Sequence, residues 1–319
     1  MSERTTGTGS NTFLIDTSLG IVGIRRYGED RPNPVVVVCA GLCSPGAEWW
    51  DLAETVSREC GVQVLVYDRP GYGRSFRTET PRTAQRAALE CMALLGTLQL
   101  NSGWILIGHG LGGHYMKELT RLRPADVRGL ILVDPWSAQF SRLREGLAWK
   151  LYEGSGIDRT RNLRYSSRVS AFPLKSLVRR VLFNAAPYHG FSGFSAESAE
   201  ELMRNLTCPG IYRTALEEYR SYQENWQAEQ LLFSEGRFPR VPLRILYHDP
   251  ETVIKDRMLF GRLNLQEART VEALWRELTE EQLKLSDDSR LVMARHSGHD
   301  LHLTEPDLVV NAVLECVNR

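Results

Sequence analysis

The residues with the most evident chemical content are the pentapeptide GHGLG at positions 108–112. It follows an apolar run at 104–107 and precedes a helical pattern. A strand that turns through glycines into a helix is the setting of a nucleophile elbow, G-x-S-x-G, whose central residue attacks the substrate. Here the flanking glycines are present, but the central residue is Gly110. Because glycine has no side chain that could bond to a substrate, no acyl-enzyme can form at this position.

The elements that must position this turn are visible as apolar runs alternating with helical patterns. Residues 11–28 predict an opening β-hairpin. The later runs cover residues 35–40, 62–68, 104–108, 129–134, 242–249 and 290–295. Helical patterns lie between them, for example at 83–98 and 112–123. Strands that are apolar on both faces and alternate with helices predict a mostly parallel, doubly wound α/β sheet with helices on both sides.

One long interval breaks this alternation. Between Asp134 and Leu243 the sequence has helical segments but no clear strand pattern. An insertion of this size predicts a helical cap over the carboxyl edge of the strands, where open α/β sheets place their sites. We therefore predict a disordered leader over residues 1–12, a core over 13–136 and 241–319, and a helical cap over 137–240.

Composition narrows the class of protein. The chain has 319 residues and equal numbers of basic and acidic side chains, 39 of each, so its charge does not favour a nucleic-acid partner. No apolar run approaches the length of a membrane span, and the polar start does not match a secretory signal. The six cysteines are scattered without metal-type spacing, as in proteins of reducing compartments. These features predict a cytoplasmic protein without metal or membrane association.

Four segments, in order and at suitable spacing, resemble the α/β-hydrolase superfamily of the capped type. YDRPGYGRS at 67–75 resembles the loop after the fourth strand, and GHGLGG at 108–113 resembles the elbow with one substitution. GLILVDPW at 129–136 resembles the sixth strand and its exit. HSGHDLHLTEPDLVV at 296–310 resembles the catalytic-histidine segment. The resemblance implies an α/β-hydrolase fold and a cofactor-free enzyme that acts on a small molecule.

The resemblance also implies roles for two proton-transfer residues. His299 matches the general base, and an imidazole with an ordinary pKa near 6.5 suits that role. The acid that orients it is either Asp134, after the sixth strand, or Asp249 or Glu251, after the seventh. We favour Asp134, because relatives with a similar histidine segment often use that site and the usual glycine turn is absent at 249–251. This acid would fix the tautomer of His299 and stabilise its imidazolium form.

Backbone and aromatic groups complete the predicted site. The N–H groups of Leu111, after the elbow, and Leu42, in the loop after residues 35–40, would form an oxyanion hole. Trp49, Trp50 and Trp136 flank these loops and are predicted to line the substrate pocket.

Other side chains could take part in the chemistry. Cys43, Ser44 and Ser75 could in principle replace the nucleophile, but the elbow does not place them in line with His299. In epoxide hydrolases of this superfamily, cap tyrosines donate to the epoxide oxygen and an aspartate occupies the elbow. The predicted cap carries Tyr152, Tyr165, Tyr188, Tyr212, Tyr219 and Tyr222, none of which can be singled out from sequence.

Three interpretations of Gly110 remain open from the sequence alone. In the first, His299 and Asp134 activate water or a substrate hydroxyl to open, hydrolyse or cyclise a small apolar electrophile. An epoxide or lactone of secondary metabolism would suit this direct attack. In the second, the chain is a non-catalytic protein that binds a hydrophobic ligand. In the third, it is a serine hydrolase inactivated by loss of its elbow serine. We favour the first.

Overall fold

The computed structural model describes residues 4–5, 12–28, 34–184, 188, 192–233 and 238–318. In these residues one sheet holds the strands β1 (Arg4–Thr5), β2 (Thr12–Thr17), β3 (Gly20–Tyr27), β4 (Val35–Cys39), β5 (Gln63–Tyr67), β6 (Trp104–His109), β7 (Val127–Val133), β8 (Leu243–Tyr247) and β9 (Ser289–Met293). The strand order is β1-β2-β3-β5-β4-β6-β7-β8-β9. The pairs from β5 to β9 are parallel, whereas β1, β2 and β3 pair antiparallel with their neighbours. The predicted fold class is confirmed.

Helices cover both faces of this sheet. The core helices are α1 (Trp50–Cys60), α2 (Ala84–Thr97), α3 (Leu111–Leu122), α10 (Pro250–Gly261), α11 (Leu265–Glu281), α12 (Leu301–Thr304) and α13 (Asp307–Val317). Between β7 and β8 lie α4 (Phe140–Gly146), α5 (Trp149–Gly154), α6 (Thr160–Ser170), α7 (Lys175–Asn184), α8 (Ala196–Leu206) and α9 (Pro209–Leu232). These six helices fall within the range predicted for the cap.

Strand β4 shows why the apolar runs are continuous. Val35, Val37 and Cys39 belong to the apolar cluster that packs under α2 and α3. Val36 and Val38 belong to the cluster on the opposite face, under α1 and α13. All five side chains are buried, so both faces of the strand need apolar residues.

The predicted leader falls largely on residues that the structure does not describe, namely 1–3 and 6–11. Where it is described, it contributes to the sheet. Arg4–Thr5 pairs with β2, and β2 itself begins at Thr12.

A buried ion pair joins the cap to the core. The Arg69 guanidinium, in the loop after β5, donates from Nε and Nη2 to the two carboxylate oxygens of Glu218 on α9, both at 2.9 Å. The two side chains are 2% and 0% exposed. Tyr72 donates its hydroxyl to the same carboxylate at 2.6 Å, and Arg82 lies 3.6 Å from it. The charges on Glu218 and Arg69 are therefore compensated only while the cap is docked.

Neighbouring glutamates on α9 provide a matched test of this contact. Glu218→Gln should lower the free energy of unfolding by about 3–5 kcal/mol, because it leaves a buried guanidinium without its charged partner. Glu217 pairs with Arg77 at the surface, where the two side chains are 39% and 46% exposed. Glu217→Gln should therefore cost less than about 1 kcal/mol. Urea unfolding of both variants measures the difference, and equal losses would show that burial of the pair is unimportant.

Candidate active site

The elbow forms a sharp turn between β6 and α3. Gly110 has φ 49° and ψ −116°, a conformation that residues with a Cβ rarely adopt. The residues two positions before and after it, Gly108 and Gly112, must be glycines for steric reasons. A Cβ on Gly108 would lie 2.5 Å from the Cα of Gly113, and a Cβ on Gly112 would lie 2.4 Å from the carbonyl oxygen of Ala40. The glycines thus allow α3 to start directly against the ends of β4 and β6.

His299 and Asp134 form a hydrogen-bonded pair beside this turn. His299 Nδ1 lies 2.6 Å from Asp134 Oδ2. Asp134 follows β7 with φ 40°, an unusual value for a residue with a Cβ, and its side chain is 2% exposed. The His299 side chain keeps 31% of its surface accessible. The structure therefore brings together a buried carboxylate and an accessible imidazole.

Electrostatics set the protonation of this pair. Burial disfavours the charged form of each group, but the contacts between them outweigh it. The pKa of His299 is raised above its usual value by the hydrogen bond and charge of Asp134. The pKa of Asp134 is held well below its usual value by His248 and His299. Arg159 of the cap opposes protonation of His299, whereas Asp300 favours it.

The carboxylate of Asp249, the first alternative acid, has other partners. Asp249 is the N-cap of α10, and its carboxylate accepts hydrogen bonds from the backbone N–H groups of Glu251 and Thr252. Among the hydrogen bonds of the described residues, His299 bonds Asp134 and bonds neither Asp249 nor Glu251.

The imidazole faces the apex of the elbow. A Cβ placed on Gly110 would lie 3.3 Å from Nε2 and 3.2 Å from Cε1 of His299. The same position lies 3.6 Å from the indole Nε1 of Trp136. His299 Nε2 and the indole N–H of Trp136 therefore converge on the place where a nucleophile's side chain would begin.

The two predicted oxyanion donors lie on separate elements. Leu111 is the first residue of α3, so its N–H is among those that have no acceptor within the helix. Leu42 lies in a loop that Arg69 holds by donating to the carbonyl oxygens of Ala40, at 2.5 Å, and Gly41, at 2.8 Å. The next residue, Cys43, has φ 62°, and its N–H donates to the Tyr72 hydroxyl at 3.3 Å. The ion pair that docks the cap thus also fixes this loop.

The three tryptophans occupy different environments. Trp136 is the one that reaches the apex. Trp49 is 1% exposed and stacks on the ring of His302 with centroids 4.2 Å apart. Trp50 is buried, and the guanidinium of Arg25 lies 4.3 Å from its ring centroid. The structure places Trp49 and Trp50 in packing contacts rather than at the apex.

The possible replacement nucleophiles are poorly suited to attack. Burial raises the pKa of the Cys43 thiol to about 12, so it remains protonated at neutral pH. The Ser75 hydroxyl donates to the carbonyl oxygen of Asp68 at 2.6 Å and accepts from the N–H of Gly23. Ser44 is buried at 7% exposure.

The cap tyrosines make contacts within the protein. Tyr188 donates to Glu48 at 2.6 Å, and Tyr212 donates to the carbonyl oxygen of Leu206 at 2.8 Å. Tyr219 donates to the carbonyl oxygen of Ile157, and Tyr222 to that of Ser137. Tyr152 is buried beside Tyr219, whereas Tyr165 is 64% exposed. These hydroxyls are engaged elsewhere or lie at the surface.

Sequence reasoning missed a second histidine at this site. His248 Nδ1 lies 2.7 Å from Asp134 Oδ1, and its Nε2 lies 2.9 Å from Glu272 Oε1. The available signal was position, because His248 directly follows β8 at the same sheet edge as Asp134. Glu272 lies within α11 and carries no sequence signal for such a contact.

Four side chains near His299 have possible metal-ligand atoms within 4.8 Å of one another. They are Glu48, His109, Asp300 and His302. Glu48 already bonds His302 Nε2 at 2.9 Å and the Tyr188 hydroxyl. The Nδ1 atoms of His109 and His302 are buried and have no hydrogen-bond partner among the residues that the structure describes. Metal-bound histidines normally donate their second nitrogen to an acceptor, so this group fits a hydrogen-bonded network better than a metal centre.

Comparison with known proteins identifies the family. The α/β hydrolase family matches residues 36–312, so the chain belongs to it. A Gibberella zeae protein of the AB hydrolase superfamily is 26% identical over 91% of this chain and 89% of its own length. A Pseudomonas syringae protein assigned as carbamate hydrolase RutD is 34% identical over 33% of this chain. The chain spans 40% of the length of that relative.

Solved structures show the same fold. The epoxide hydrolase CorEH superposes with a TM-score of 0.66 and 14% identity, covering 96% of this chain and 98% of that one. At this level of identity the likeness concerns the fold. No helix within the described residues has the length and apolar character needed to cross a bilayer.

Two glycines allow a test of the strained apex. Gly110→Ala should lower the free energy of unfolding by about 1–3 kcal/mol, because it places a Cβ at positive φ and within 3.3 Å of the His299 ring. Gly96 lies in α2, and a Cβ added there would meet no atom within 4 Å. Gly96→Ala should therefore raise stability by up to about 1 kcal/mol through helix propensity. Thermal or urea unfolding distinguishes the two, and an unchanged Gly110→Ala protein would mean that the apex conformation is unstrained.

Proposed function

We propose that the protein is a hydrolase that acts without a covalent intermediate, with His299 as the general base. The substrate class is a small, mainly apolar ester or lactone. The observation that carries the proposal is the approach of His299 Nε2 to 3.3 Å from the Cβ position at Gly110, while Nδ1 is held by Asp134. A base oriented in this way at an apex without a side chain suits activation of a water molecule or a substrate hydroxyl.

The proposed reaction is a direct addition to a carbonyl. His299 Nε2 accepts a proton as the water oxygen bonds to the carbonyl carbon, and the carbonyl oxygen becomes an oxyanion. The N–H groups of Leu111 and Leu42 would stabilise that charge. The intermediate then expels the alkoxide, which takes the proton from the imidazolium. A lactone would yield a hydroxy acid, and a hydroxyl of the substrate itself in place of water would give cyclisation.

The arrangement of donors favours a carbonyl over an epoxide. Opening an epoxide requires a proton donor to its oxygen, and the buried cap tyrosines donate within the protein. The backbone donors beside the elbow suit the oxyanion of a carbonyl addition. An epoxide remains the second candidate because Trp136 brings an N–H donor to the apex.

A substrate panel of lactones, esters and epoxides, read out by mass spectrometry, tests the reaction class. For any substrate turned over, His299→Ala should lower kcat about 10²–10⁴-fold, the usual contribution of a general base. His296 lies on the same loop, and its exposed side chain serves as a control. His296→Ala should change kcat little. Unchanged turnover in His299→Ala would refute the proposed base.

The absence of a covalent step has its own test. A fluorophosphonate probe should not label the protein, whereas Gly110→Ser should acquire labelling, because the added hydroxyl would lie beside the His299 base. Labelling of the unmodified protein would refute direct attack, and mapping the adduct would identify the nucleophile. Ligand binding without turnover across the panel would instead favour the binding-protein interpretation.

A further inference from the structure

A row of four side chains extends the His299–Asp134 pair into the protein interior. Glu272 Oε1 lies 2.9 Å from His248 Nε2, His248 Nδ1 lies 2.7 Å from Asp134 Oδ1, and Asp134 Oδ2 lies 2.6 Å from His299 Nδ1. The side chains of Glu272, His248 and Asp134 are 5%, 2% and 2% exposed. Each oxygen of Asp134 therefore bonds a different histidine.

The contacts of His248 determine its protonation. Each of its ring nitrogens faces a carboxylate oxygen, and a carboxylate can only accept a hydrogen bond. A neutral imidazole would direct a lone pair at one of these oxygens, so the contacts require protons on both nitrogens. In agreement, the two carboxylates outweigh the effect of burial and raise the pKa of His248 to about 9.

Glu272 is equally committed to its charged form. Its Oε2 accepts from Arg257 Nη1 at 2.5 Å, and its Oε1 also accepts from the Tyr247 hydroxyl. Burial opposes ionisation, but these contacts and His248 hold the pKa of Glu272 below its usual value. The Tyr247 ring stacks on His248 with centroids 4.1 Å apart. Asp134, His248, Glu272 and Arg257 together carry no net charge.

We propose that His248 is a positioning residue that acts on His299 through Asp134. As an imidazolium it fixes the plane of the shared carboxylate and offsets its negative charge. His299 therefore bonds a carboxylate whose orientation is fixed and whose negative charge is partly neutralised by His248. The consequence is that His299 stays neutral, and able to accept a proton, at a lower pH than it would beside Asp134 alone.

The other charges facing His299 do not replace this effect. Asp300 favours its protonation and Arg159 opposes it. The His109 ring lies 4.5 Å from the His299 ring, but burial lowers its pKa well below the usual value and keeps it neutral. His248 is the cation in direct contact with the shared carboxylate.

His248→Asn tests the proposal, because the asparagine amide can still donate to Asp134 from about the position of Nδ1 but carries no charge. Histidine-selective ¹⁵N NMR of the unmodified protein should show both nitrogens of His248 protonated at pH 7. In His248→Asn the pKa of His299, followed by the same method, should rise by about one unit. Both readouts are independent of turnover.

A kinetic readout rests on the proposed function. Once a substrate is known, the acidic limb of the pH profile of kcat/KM can be compared between His248→Asn and the unmodified protein. In the variant it should move to higher pH by the same amount as the pKa of His299. At pH values below that pKa, kcat/KM should then fall by up to tenfold. If no substrate is turned over, the proposed function fails while the NMR titration still decides the role of His248.

His302→Asn is the matched control. His302 is another buried histidine that bonds a glutamate, Glu48, without contacting Asp134. This substitution should shift the pKa of His299 less than His248→Asn does. A neutral His248 at pH 7, an unshifted or lowered pKa of His299 in His248→Asn, or an equal shift in both variants would overturn the proposal. If His248→Asn does not fold, the protonation state of His248 in the unmodified protein decides.

Discussion

The carboxylate of Asp134 is the group on which the site depends. It is buried at the carboxyl end of β7 in a backbone conformation that is uncommon for a residue with a Cβ. A buried carboxylate is stable only when its charge is compensated and its oxygens accept hydrogen bonds. The two histidines meet both requirements, and their dependence on Asp134 is mutual. The orientation of His299 is thus determined both by the loop that carries it and by the requirement that the buried charge of Asp134 be compensated.

A second buried pair determines whether this site is complete. Arg69 bonds Glu218 of the cap and the carbonyl oxygens of the loop that carries Leu42. The guanidinium of Arg69 therefore joins the cap to the loop of Leu42, one of the proposed oxyanion donors. Since neither charge is stable in the interior alone, the docked cap and the ordered loop stabilise each other. Cap position and donor geometry are consequently coupled, although they belong to different parts of the chain.

The fold could be predicted because its signal is periodic and local. Strands such as β4 must be apolar on both faces, and this requirement is visible in the sequence as a continuous apolar run. Asp134 and His299 could be proposed because each follows an apolar run at the expected place. The roles of Trp49 and Trp50 could not, because position beside a loop does not reveal which way a side chain points. His248 was missed for a related reason, since its second carboxylate partner, Glu272, comes from a distant helix.

The glycine at the apex can be understood from these constraints. A side chain there would meet the His299 ring at 3.2–3.3 Å and would require a backbone conformation that favours glycine. Removing the side chain relieves that strain while leaving the imidazole, its carboxylate and the backbone donors in place. The imidazole is held by Asp134, the Leu111 N–H by the start of α3, and the loop of Leu42 by Arg69. An apex without a side chain can therefore coexist with an oriented imidazole, and this combination is the reason that we propose direct attack by water.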